Sequence, residues 1–152
     1  MTEIQLKNKE LIERYPFLQP RNIWTDQIPE GFNYNRTRLD EIPDGWKVAF
    51  GLNLCEELRE VLVEADYLDK FRFSQIKEKY GRLCLYNFGA PEKAHEVIRK
   101  YEKLSKTTCI LCGAPATKIS CSWISPYCDD CGIWEDEDYI PIEEYYNDLE
   151  GK

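Results

Sequence analysis

The chain has a single histidine, no apolar run approaching the roughly 20 residues of a membrane span, and no basic residue between Gly132 and Glu150. Each absence removes a class of function. His95 with Glu92 makes one Glu-x-x-His unit, whereas a di-iron bundle needs two; a helix-surface histidine is the simpler reading. No histidine is placed to activate a serine or cysteine nucleophile. There is no Gly-Lys-Ser/Thr phosphate loop and no glycine-rich dinucleotide turn. The start, Met1-Thr2-Glu3-Ile4-Gln5, has neither the basic nor the apolar region of a secretory signal, so the expected compartment is the cytoplasm. Among catalytic classes this leaves an enzyme of unrecognised type, built on carboxylates or cysteines alone.

What is present is unevenly charged. Of the 28 acidic residues eight lie within 132–150, and of the 20 basic ones only Lys152 lies beyond 131, so residues 1–131 hold 20 acidic and 19 basic side chains. The net charge of −8 therefore sits in the C-terminal segment. Such a segment disfavours nonspecific nucleic-acid binding, which draws on Lys and Arg at phosphates, and suits a basic protein partner.

Four of the seven cysteines form two Cys-x-x-Cys pairs, Cys109-Ile-Leu-Cys112 and Cys128-Asp-Asp-Cys131, separated by fifteen residues. Two such turns brought together by a short hairpin make the tetrahedral four-thiolate site that zinc prefers, with Zn–S bonds of about 2.3 Å. Gly113 and Gly132 each follow a pair, where a missing Cβ lets the backbone wrap the metal. A closed set of four thiolates leaves no position for water, so the expected cofactor is a structural Zn²⁺ and not a catalytic one. Cys55, Cys84 and Cys121 read as small buried hydrophobes.

In chain order, Thr2 and Gln5 form a capping box before a short helix whose apolar residues are Ile4, Leu6, Leu11 and Ile12. Residues 15–44 read as a proline-punctuated connection anchored by Tyr15, Phe17, Trp24, Phe32 and Tyr34. A long core helix follows, with Trp46, Phe50, Leu54, Leu58, Val61, Leu62 and Ala65 on its apolar face. Its Glu56, Glu60 and Glu64 read as a solvated stripe. Residues 71–76 and 83–88 alternate as two strands of a hairpin turning at Gly81. A third helix from Pro91 buries Ala94, Val97, Ile98, Tyr101 and Leu104.

The expected architecture is α+β: helices packed on a β-hairpin over 1–106, a four-cysteine zinc ribbon over 107–134 with a returning strand at 118–124, and an acidic tail over 135–152. Acidity after Gly132 makes a ribbon more natural than a treble clef. The tail, with Tyr145, Tyr146 and Leu149 on a short amphipathic helix, reads as a disordered or docking segment.

Several strings together resemble a family of small, uncharacterised bacteriophage and prophage proteins. They are Tyr15-Pro16-Phe17-Leu18, Pro20-Arg21-Asn22-Ile23-Trp24-Thr25, Ile42-Pro43-Asp44-Gly45-Trp46, Gln75-Ile76-Lys77-Glu78-Lys79-Tyr80-Gly81 and Trp123-Ile124-Ser125-Pro126-Tyr127-Cys128-Asp129-Asp130-Cys131. The likeness spans residues 11–131. It implies a phage or prophage origin and a structural zinc site, and it carries no activity. Arg82-Leu83-Cys84-Leu85 and the long acidic end depart from the family's pattern.

The first expectation is thus a non-enzymatic, phage-encoded zinc protein that engages a host or phage macromolecule, such as a component of a host-defence system, through Glu135, Asp136, Glu137, Asp138, Tyr145 and Tyr146. The alternative is a nucleic-acid-binding zinc ribbon using Arg21, Arg36, Arg38, Lys118 and Trp123. Local pairing of those arginines with Asp26, Glu30, Asp40 and Glu41 weighs against it.

Overall fold

The computed structural model describes the backbone of residues 1–150 and the side chains of 1–147. It is a mixed helical and antiparallel protein. Helix α1 (Glu3–Arg14) opens on the capping box of Thr2 and Gln5, and short 3₁₀ turns cover Pro16–Leu18 and Arg38–Glu41. The central helix is continuous in space but threefold in kind: α2 (Asp44–Trp46), a π-turn (Lys47–Gly51) and α3 (Leu52–Glu64). Strands β1 (Phe73–Lys79) and β2 (Arg82–Asn87) form an antiparallel pair, and α4 (Glu92–Ser105) follows. A three-stranded sheet ordered β4-β3-β5 comprises β3 (Lys118–Ser120), β4 (Pro126–Tyr127) and β5 (Tyr139–Pro141), and α5 (Ile142–Glu150) ends the described chain.

The π-turn has a cause in the sequence. Trp46, Phe50, Leu54, Leu58 and Leu62 are all buried and all four residues apart. On a regular helix of 3.6 residues per turn, a spacing of four walks around the axis by about 40° per step, which over four steps points the first and last side chains nearly apart. One wider turn at Lys47–Gly51 takes in an extra residue and returns roughly 100° of that drift. The whole row then faces one core. Val61 is only half-buried and Ala65 is exposed, so the apolar face ends at Leu62.

That core is strongly aromatic. Phe17, Phe71 and Phe73 meet edge to face, with centroid separations of 5.9, 5.8 and 5.0 Å. Tyr15 and Phe17 thus anchor the connection as expected, whereas Trp24 is 86% exposed. Ile4 and Leu6 are exposed too, because α1 packs through Asn8 and Ile12 instead. The hairpin turns at Tyr80 (φ +51°) and Gly81 (φ +82°), the two positive values of a tight two-residue connection. Helix α4 covers the edge of β2: Ser105 Oγ accepts from the Leu83 N–H and Glu102 Oε2 from the Leu85 N–H, both at 2.8 Å. Leu104, expected inside, is exposed.

Of the glutamate stripe of α3, Glu60 and Glu64 are exposed as expected, whereas Glu56 is tied down. Glu56 takes Arg14 Nη2 at 2.5 Å and Arg14 Nε at 3.0 Å, and Tyr15 Oη donates to it at 2.7 Å. Glu57 pairs with Lys100 of α4 at 2.7 Å. These clasps fasten α1 and α4 to the central helix.

Residues 135–150, set apart by composition as a tail, are part of the fold. Tyr139, Ile140 and Pro141 pair with Ser120, Ile119 and Lys118. Ile142 is buried with Ala116 and Ile119, and Tyr145 and Tyr146 pack against them. The side chain of Leu149 lies outside the described residues. A segment this acidic orders because its apolar residues, spaced first at two and then at three to four, close a second small core while the carboxylates face out.

Hydrogen bonds from Arg14 and from Tyr15 hold the Glu56 carboxyl below its ordinary 4.5. A depressed carboxylate contributes stability that is present above its unfolded value and lost as pH falls through the folded one. Glu56→Gln should therefore flatten the loss of stability on acidification below about pH 4.5, read from urea midpoints at pH 3 to 7.

Candidate metal centre

The two Cys-x-x-Cys turns build equivalent knuckles. In the first, the Gly113 N–H donates to the Cys109 carbonyl at 3.0 Å; in the second, the Gly132 N–H donates to the Cys128 carbonyl at 3.0 Å. Gly113 sits at φ +88°, a value that asks for glycine, whereas at Gly132 a Cβ would crowd Lys118 and lie 3.0 Å from Tyr127 Cβ. The Ile110 N–H donates across to the Pro126 carbonyl at 3.0 Å, closing one knuckle on the other.

The result is a cluster of four sulfurs, those of Cys109, Cys112, Cys128 and Cys131, within 4.8 Å of one another. Cys112 Sγ and Cys128 Sγ are 3.6 Å apart, far longer than a disulfide and close to the roughly 3.8 Å edge of a tetrahedron with Zn–S bonds of about 2.3 Å. The residues therefore fit a thiophilic ion such as zinc. The backbone also supports anionic sulfur, as the Ala114 N–H points at Cys112 Sγ at 3.4 Å. Burial pushes the Cys109 thiol up, but N–H groups of Cys112, Cys128 and Leu111 outweigh it and bring it to about 7. Its neighbours respond in the opposite sense: Cys131 is pushed up to about 12, with Cys128 as the largest cause. Four thiols that cannot all ionise beside one another are the donor set a cation relieves. An ion held there would have all four positions taken by sulfur and none left for water.

The centre is seated on the central helix. The Gly45 N–H donates to the Ile110 carbonyl at 2.9 Å, and Trp46 Nε1 donates to the Thr108 carbonyl at 2.9 Å. A Cβ on Gly45 would overlap the Cys109 carbonyl oxygen and lie 2.5 Å from the Ile110 carbonyl carbon; one on Gly113 would lie 2.6 Å from the Gly45 carbonyl oxygen. The two backbones touch with no side chain between them. At the far side Gly81 of the hairpin rests on Ile124, 3.3 Å from where its Cβ would stand.

The residues expected to form a docking tail divide. Glu135, Asp136 and Asp138 are exposed. Glu137 is instead a clamp: its Oε1 accepts from the N–H groups of Cys121 and Ser122 at 2.9 and 2.8 Å, and Ser122 Oγ donates to Oε2 at 2.5 Å. Tyr145 and Tyr146 are packed inward, and Tyr146 Oη donates to the Lys106 carbonyl at 3.2 Å. They hold the helix to the ribbon. Of the nucleic-acid set, Arg21 and Arg38 border the same clefts near Phe73, while Lys118 lies over Tyr139 in the ribbon sheet and Trp123 lies beside the hairpin tip at Tyr80. Phe73 and Lys79 are six residues apart on β1, about 20 Å, so the five residues make no single face.

Cys55 and Cys84 are buried, and burial pushes Cys55 up to about 12, far from a nucleophile's range. Cys121, expected inside, is exposed because the strand of the ribbon stops at Ser120. No helix begins at the second cysteine pair, as the ribbon reading requires. The chain matches no family model, no curated protein and no solved structure.

Two outcomes test the centre. The folded protein should carry one zinc ion, and Cys112→Ser or chelation should lower the melting of α2 to α4 together with the ribbon, in one transition by far-ultraviolet circular dichroism. Gly45→Ala, which leaves every ligand in place, should cost about 3 kcal/mol, the upper end of overpacking, since both atoms it strikes are backbone.

Proposed function

We propose that the protein is a zinc-stabilised, non-enzymatic binding protein whose ribbon face docks a protein partner carrying basic groups around an apolar surface. The observation that carries this reading is the group of large apolar side chains the ribbon leaves in solvent. Trp123 is 73% exposed, Ile133 70% and Trp134 48%. Glu137 ties together the two loops that bear them, and the exposed Glu135, Asp136 and Asp138 follow Trp134 directly in a segment with no basic residue within 132–150. Exposed aromatic groups rimmed by charge are what protein interfaces select. The resemblance to phage and prophage proteins supports a phage origin, action in the host cytoplasm, and a host protein, for example of a defence system, as the partner.

The fold dictates how this is tested. Deleting 135–152 would remove β5 and the second small core, so loss of binding would report loss of folding. Trp123→Ala with Trp134→Ala changes two solvent-facing side chains and removes one packing contact, the edge-to-face pair of Trp134 with Tyr127. The double variant should keep its zinc and melt normally while losing about thirtyfold or more in affinity for the specific protein that the parent retains from phage-infected lysate, measured by titration with that protein once identified. Equal retention by parent and variant would contradict the reading.

A further inference from the structure

Away from the ribbon, at the open end of the hairpin, a cluster of arginines is only partly neutralised. Two adjoining clefts, of about 270 and 440 Å³, share Arg21, Asn22, Ile23 and Arg38 along their walls. Arg72 borders the first and Arg36 the second, so that four guanidinium groups face two carboxylates, Asp26 and Glu41. This is a local positive surplus in a chain of net charge −8. Sites for small ligands typically span about 300–1,000 Å³.

The arginines are held in place while donors remain. Arg72 Nε donates to Asp26 Oδ1 at 2.9 Å, and its Nη1 donates to the Asp69 and Phe71 carbonyls at 2.9 Å each. Arg21 Nη1 donates to the Asp26 carbonyl at 2.8 Å and lies 3.8 Å from its carboxylate. Arg38 pairs with Glu41 at 2.8 Å. Arg36 makes no ion pair among the described residues. Arg21 Nε is a buried donor with no partner. Asp26 sits at φ +61°, uncommon for a side chain other than glycine, and its carboxylate bridges Arg21 and Arg72 from an exposed position.

An aromatic surface accompanies the cations. Trp24 is 86% exposed and Phe88 65% exposed, and both border the first cleft. Trp24 is not on a loose loop: Asn22 Oδ1 accepts from the N–H groups of Trp24 and Thr25 at 2.8 and 3.0 Å, and the Asn22 N–H donates to the Gln27 carbonyl at 2.8 Å. A turn this well bonded that leaves an indole in water beside guanidinium groups fits a planar, anionic ligand. Guanidinium forks match phosphate oxygens, and aromatic faces take bases whatever their sequence.

We infer that the cleft of Arg21, Arg38 and Arg72 binds the phosphate of a nucleotide, with its base against Trp24. The nucleotide is either free or a unit of a single strand, and the site is independent of the partner face on the ribbon. The test uses the full-length, zinc-loaded protein and calorimetry at about 50 mM salt with AMP, a ten-residue oligothymidylate, inorganic phosphate and a phosphotyrosine peptide. AMP or the oligonucleotide should bind. Arg72→Ala should weaken both nucleotide and inorganic phosphate by about tenfold or more. Trp24→Ala, which disturbs no packed side chain, should weaken the nucleotide by about tenfold and leave inorganic phosphate unchanged. Tighter binding of the oligonucleotide than of AMP would assign the site to a strand, and equal binding to a free nucleotide; either supports the inference. It is overturned if neither nucleotide binds, if both variants bind as the parent does, or if the phosphotyrosine peptide binds more tightly than both nucleotides.

Discussion

The structure depends on a backbone-to-backbone approach in which Gly45, at the start of the central helix, lies directly on the Cys109–Gly113 knuckle. Nothing larger than hydrogen fits on either glycine, and the Gly45 N–H and the Trp46 indole each donate to a carbonyl of residues 108–110. The first turn of a helix leaves N–H groups without partners in the helix; here the metal knuckle supplies one of them. The cluster of sulfurs therefore ends one element and begins another. Zinc in small modules contributes about 10–16 kcal/mol, comparable with the whole stability of an ordinary domain of about 5–15 kcal/mol. An ion seated at such a joint steadies the body as well as the ribbon.

From this joint the two ends of the hairpin acquire different roles. Its tip rests on the ribbon through Gly81 and Ile124, near Trp123. Its open end, about 20 Å away, borders the arginine clefts. The protein thus presents an acidic and apolar face on the metal module and a cationic and aromatic face on the body. The overall charge of −8 conceals the second, because it is set by the eight carboxylates of 132–150; elsewhere acids and bases nearly balance, with pairs such as Glu56 with Arg14 and Glu57 with Lys100.

Much of this is legible in the sequence. The cysteine spacing points to the cluster, Thr2 and Gln5 to the first cap, and Gly81 to the hairpin turn. What is not legible depends on contacts between distant segments. Gly45 reads as a weak helix start until the Cys109 carbonyl is seen against it. A row of apolar residues spaced by four reads as ordinary amphipathicity, although its drift against 3.6 residues per turn is a signal for the π-turn that a careful count detects. Composition hides β5, since four consecutive acids suggest an unfolded end while Tyr139, Ile140 and Ile142 carry the pairing and the core. Charge counting likewise hides the role of Glu137, whose carboxylate serves Cys121 and Ser122 rather than a partner.

The most direct measurement is hydrogen exchange of the full-length protein with zinc bound and after its removal. If the knuckle is the joint of the fold, removing the ion should speed exchange through 44–51 of the central helix along with 107–141, while the far end of α3 keeps more of its protection. Faster exchange confined to 107–141, with the amides of 44–51 unchanged, would contradict the account.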